Sequence, residues 1–110
     1  MTVQEFVNNL LQVPITRIGN KYIVEAIEIV LDTRGIKFYP KLCEITGSSS
    51  GAIEKAMRTA KDLGILSMDK DKYTEIFGAT GVSTSEYVLK AADYYRRNYE
   101  NKNADITNSN

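Results

Sequence analysis

The chain has no histidine, one cysteine and two prolines in 110 residues, and its net charge is zero. Without histidine it lacks the commonest general base and metal ligand. Cys43 can form no internal disulfide, and its place in an apolar helical pattern predicts a small buried side chain rather than a nucleophile. No Walker glycine–lysine pair follows Gly47. Asp69 and Asp71 resemble the opening of a calcium loop, but Thr74 and Thr80 stand where that loop needs glycine and glutamate. The two aspartates are better read as the acidic start of a helix. With no paired carboxylates in an evident cleft, the expectation is a non-enzyme that holds no metal and no cofactor. The longest apolar runs are a few residues, too short to span a membrane. The segment from Met1 to Gly19 lacks the basic and apolar regions of a secretory signal. A reducing, cytoplasmic setting is expected.

Hydrophobic residues at 43% and charged residues at 25% are ordinary for a soluble globular domain. No strand-like alternation of useful length occurs, whereas helical periodicity recurs. Val3, Phe6, Val7, Leu10 and Leu11 mark a first helix over 2–11, capped by Thr2 and Glu5 as a capping box. Pro14 ends it, because the residue before a proline is pushed out of the helical region. A second helix is expected over 20–33, with Asn20 as N-cap, an apolar stripe through Ile23, Ala26, Ile27, Val30 and Leu31, and Gly35 at its stop. Tyr39-Pro40 opens a third, with proline at the first helical position. It closes near Thr46-Gly47. The fourth begins in Ser48-Ser49-Ser50 and runs to about Leu63, with Gly64 as C-cap. A fifth covers 69–77, and a sixth starts at the Ser83/Glu86 capping box and continues to about Tyr99. The expected fold is all-α, a single six-helix domain over 1–100, winged-helix-like but without a clear wing. Residues 101–110 read as a polar, flexible tail.

The stretch from Tyr39 to Gly64 is the most informative. It reads as a helix, a tight glycine-containing turn and a second helix, the layout of a helix-turn-helix DNA reader. Ile53, Ala56, Met57, Ala60 and Leu63 form the packing face. Glu54, Lys55 and Arg58 lie on the opposite face, in the N-terminal half that enters the major groove in this motif. Arginine and lysine donate to guanine O6 and N7, and glutamate accepts from cytosine N4. Ser48, Ser49 and Ser50, with the free N–H groups of the helix start, suit phosphate, as do Lys41 and Lys61. Charge supports the placement. Residues 34–61 carry six basic against two acidic side chains, while the segments before and after each carry a net −2. An ordinary surface helix with a Glu54–Arg58 pair at i, i+4 would fit the same pattern.

Further residues carry a resemblance. Val13-Pro14 precedes the apolar second helix, and Tyr39-Pro40 opens the third. Ile53-Glu54-Lys55-Ala56-Met57-Arg58 lies in the fourth, Phe77-Gly78 follows the fifth, and Ser85-Glu86-Tyr87 opens the sixth. In that order they resemble the C-terminal DNA-binding effector domain of the response regulator that initiates sporulation in endospore-forming bacteria, over about 11–97. The resemblance implies a six-helix fold whose fourth helix, about 49–63, reads bases with Glu54, Lys55 and Arg58. It implies Thr59 near phosphate, and pairing on tandem sites through the last helix, where Tyr87, Tyr94 and Tyr95 fall. Two departures stand out. The family has arginine where this chain has Lys55, which implies a relaxed or different base preference there. The family's receiver domain with its phosphorylatable aspartate is absent from these residues, and the loop over 79–82 is shorter. The partners expected are therefore double-stranded DNA, RNA polymerase and a second copy on DNA. The alternative is a helical protein–protein module that binds a regulator or polymerase without reading DNA.

Overall fold

The computed structural model describes residues 1–35 and 37–100. All regular structure among them is helical. α1 (Val3–Glu5) passes directly into a π-helical turn, Phe6–Leu10. α2 (Ile18–Thr33), α3 (Tyr39–Thr46), α4 (Ser50–Ser67), α5 (Lys70–Phe77) and α6 (Thr84–Tyr95) follow, and α6 ends in a second π-helical turn, Arg96–Glu100. The expected all-α, six-helix class is thus observed, with no strand and hence no wing among the described residues. No helix is long and apolar enough to cross a membrane. The expected tail at 101–110 lies outside the described residues.

Local chemistry accounts for most boundaries. Thr2 and Glu5 form one complete capping box and Ser83 and Glu86 another. Asp69 caps α5 by accepting from the Lys72 N–H at 3.0 Å, and Pro40 sits in the first turn of α3. Gly47 closes α3 at φ 73°, a left-handed position that glycine takes without steric cost.

Three boundaries differ from expectation, two of them for a packing reason. α2 begins at Ile18, not Asn20. Asn20 is buried inside the helix, where its side-chain amide donates to the Val13 carbonyl at 3.2 Å and to Asn8 at 3.0 Å. Arg34, not Gly35, takes the left-handed residue that ends α2. α4 runs through Gly64 to Ser67. Gly64 is a point of close approach rather than a stop, since a Cβ there would lie 2.7 Å from the Leu11 carbonyl oxygen.

α2 is the central helix and packs against α4, α6 and α3. Its seam with α4 is closed by Gly19, where an added Cβ would stand 2.2 Å from the Ala56 carbonyl oxygen and 2.6 Å from the Ala60 Cβ. Ile23, Ile27, Leu42, Ile53, Met57, Phe77 and Tyr87 fill the centre. Cys43 is half-buried at its edge. A second aromatic cluster joins the two ends, with Phe6 against Tyr94, Tyr95 and Tyr99 at ring-centroid distances of 6.1, 5.5 and 6.0 Å.

Candidate functional site

α3 and α4 are joined by Gly47, Ser48 and Ser49. Ser49 caps α4 by accepting from the Ala52 N–H at 3.2 Å. The inner stripe of α4 is Ile53, Met57, Ala60, Lys61 and Gly64, all buried. The outer side presents Ser50, Gly51, Ala52, Lys55, Arg58 and Thr59, all exposed. That division follows from the helical period and from α2, α3 and α6 lying against the inner side.

The three expected base readers do not stand alike. Arg58 is exposed and its Nη1 donates to Glu54 Oε1 at 2.9 Å. The other Glu54 oxygen, Oε2, accepts from the Thr84 hydroxyl of α6 at 2.9 Å. Glu54 is therefore engaged at both oxygens and shaded by α6. It holds the Arg58 guanidinium in place and ties the start of α6 to α4. Lys55 makes no ion pair among the described residues. With Thr59, Ala52 and Ala56 it lines a shallow depression of about 300 Å³, completed by Arg17, Ile18 and Gly19 at the start of α2. Thr59 donates its hydroxyl back to the Lys55 carbonyl at 3.1 Å. Ser50 and Gly51 form a neighbouring hollow with Tyr39 and Glu54. Burial, followed by the Glu54 charge, raises the Tyr39 phenol above its ordinary pKa.

Other expected residues fall elsewhere. Lys61 is not a surface cation. Only 7% of it is exposed, and its ammonium donates to the Val82 carbonyl at 3.0 Å and lies 3.6 Å from Asp62. It pins the segment before α6 onto α4 and cannot reach a phosphate in this arrangement. Lys41 pairs loosely with Glu44 at 3.9 Å and lines a separate groove between α2 and α3. Ser48 is half-buried, with its N–H donating to the Thr46 hydroxyl at 3.2 Å.

The tyrosines expected as dimer contacts are largely internal. Tyr87 is fully buried and stacked on Phe77 at 4.8 Å. Burial pushes its phenol far above the ordinary range. Tyr94 is 5% exposed, stacks on Phe6, and donates its hydroxyl to Glu75. That hydrogen bond, followed by the one from Lys72, lowers the Glu75 carboxyl. Tyr95 is half-buried and donates to the Met1 carbonyl. Tyr87 and Tyr94 thus serve the core, because the apolar period of α6 turns both inward with Val88, Ala91 and Ala92.

Two contributors to this surface escaped the sequence reading. Arg17 belongs to a segment of net negative charge, yet the tight seam at Gly19 brings it to the depression that Lys55 also lines. Thr84 lies 30 residues from Glu54, and nothing in local periodicity links them. No protein-family model and no curated protein matches the chain.

Proposed function

We propose that this chain is a sequence-specific double-stranded DNA-binding transcriptional regulator. Its reading unit is a helix-turn-helix made of α3, the Gly47–Ser49 turn and α4, with the N-terminal half of α4 entering the major groove. The observation that carries the reading is the outer side of α4. There two cations, Lys55 and Arg58, stand exposed within one turn on a helix whose inner side is locked to α2, and Arg17 lines the same shallow depression as Lys55. Rigid presentation of a few donors on one helix is what base readout requires.

Each residue then has a distinct task. Arg58, pre-oriented by Glu54, donates to a guanine edge. Lys55 donates to a neighbouring base as a single point charge, with less geometric demand than arginine in that place. Glu54 reads a cytosine amino group only by giving up one of its present partners, so its first task is to position Arg58. Arg17, Thr59, Ser50 and the first N–H groups of α4 engage phosphate. The resemblance to the sporulation effector domain supports the same register and a bacterial, cytoplasmic regulator that works with RNA polymerase.

A salt titration on a labelled duplex tests the proposal. Affinity should fall linearly in log–log form, with a slope set by the phosphates engaged. Arg58→Ala should cost about 1–3 kcal/mol on a site selected from a random pool and little on random duplex. Undetectable binding to mixed duplex at low salt would reject the DNA reading in favour of a protein-binding module.

A further inference from the structure

The groove between α2 and α3 has a composition opposite to that of the α4 surface. Glu25, Glu28 and Asp32 of α2 line it, with Ile29 beneath them and Ile45 and Lys41 of α3 on the other wall, around a volume of about 460 Å³. The spacing of the three acids, 25, 28 and 32, puts them on one side of α2 along about 10 Å of helix. None of them makes an ion pair among the described residues. The single cation on the wall, Lys41, is 3.9 Å from Glu44 of its own helix. Glu25 Oε2 is shielded from solvent and has no hydrogen-bond partner among the described residues, an arrangement that costs free energy. Ile45 is 53% exposed, one of five large apolar side chains left outside the core among the described residues.

We infer that this groove docks a basic amphipathic helix of a partner protein. Apolar side chains at i and i+3 or i+4 of that helix would cover Ile45 and Ile29, and lysine or arginine on its flanks would meet Glu25, Glu28 and Asp32. Charge complementarity selects this occupant, because an acidic rim around an apolar floor repels an acidic helix and leaves an uncharged one with unpaired carboxylates. The inference rests in part on the DNA reading. Phosphate repels the three acids, so in a chain that binds DNA through α4 this groove is not a duplex contact and stays available to other proteins. Lys41 belongs to the groove and leaves the list of phosphate contacts.

The test uses the full chain and a fluorescent synthetic peptide of about fourteen residues, long enough for a partly formed helix, with leucine at helical spacing and lysine on both flanks. Amide shifts on titration should cluster on 25–32 and 41–45. Glu25→Gln/Glu28→Gln/Asp32→Asn should weaken the peptide at least about tenfold, as should Ile45→Lys. Thermal unfolding should be unchanged in Ile45→Lys, whose side chain is exposed, and unchanged or raised in the triple variant, because Glu25 Oε2 has no hydrogen bond to lose. A peptide of the same composition with its leucines scrambled should also bind about tenfold more weakly. Equal binding of the scrambled peptide would reduce the groove to nonspecific charge and overturn the proposal. So would shifts centred on α4. A chain that dimerises through the groove, and becomes monomeric in the triple variant, would assign it to a second copy instead. Duplex binding by the triple variant, measured in parallel, should be retained or tightened. Peptide docking without any duplex binding would uphold the groove and reject the DNA reading.

Discussion

The two sides of α4 obey different rules. On the inner side Gly19 and Gly64 bring backbones so close that a single methyl group has nowhere to go. On the outer side Lys55 and Arg58 project into solvent, and the Glu54–Arg58 pair, at i, i+4 and half-exposed, adds only a few tenths of a kcal/mol to the fold. The inner side spends its chemistry on position and leaves the outer side free to vary. A recognition surface needs that separation, because its side chains can change without moving the helix that carries them.

Gly19→Ala should have the largest effect. Its methyl group would meet backbone rather than a flexible side chain, and overpacking of this kind costs about 3 kcal/mol. Chemical denaturation should show the loss, together with weakened duplex binding because α4 shifts. A smaller loss would mean that the α2–α4 seam yields.

Next comes a contrast between two lysines on one helix. Lys61→Met keeps the buried stem but strands the Val82 carbonyl, and should cost about 1–2 kcal/mol of stability. Duplex affinity of the folded variant should be unchanged. Lys55→Met should do the reverse, with an unfolding midpoint like the parent and reduced duplex binding. If the two variants behave alike, the division between inner and outer sides is wrong.

Thr84→Val removes the hydroxyl that holds Glu54 Oε2 and should cost about 1 kcal/mol. Its sharper signature is functional. With Glu54 released, Arg58 loses its fixed orientation, so discrimination between matched and mismatched duplexes should narrow more than total affinity falls. Unaltered discrimination would show that Arg58 needs no such support.

The smallest effect is an acid one. The backbone N–H of Ser83, then its hydroxyl, hold Glu86 below the usual carboxylate range, and Thr2 does the same for Glu5. A lowered folded-state pKa contributes stability above the unfolded value of about 4.3 and loses it as pH falls through the folded one. Glu86→Gln, which keeps an acceptor for the Ser83 N–H, should therefore flatten the fall in stability below about pH 4. Stability at neutral pH should change little. An identical acid limb in parent and variant would remove Glu86 from the account.

Much of this architecture was legible because its signals are local. Capping boxes, Pro40 in the first turn of α3 and Gly47 after it are decided within a few residues of themselves. Gly64 and Asn20 were misread because their local chemistry admits two answers. Glycine serves a helix end or a tight seam, and asparagine serves a cap or a buried amide. Only tertiary packing chooses. Lys61 is a different case. It lies four residues after Met57 and eight after Ile53, so the apolar period already places it on the inner side, a fact that the net charge of the segment does not register. The same period places Tyr87 inward. The Glu54–Thr84 bond and the depression shared by Arg17 and Lys55 join distant segments, and no pattern within either segment announces them.

The aromatic cluster around Phe6 has a mechanical consequence. Tyr94, Tyr95 and Tyr99 come from the last described turns, Phe6 from the first, and the Tyr95 hydroxyl reaches the Met1 carbonyl. The two ends of the fold are clasped side by side. Tension applied between them would peel this clasp ring by ring before any load reached the α2–α4 seam, so the outer side of α4 is insulated from whatever pulls on the ends.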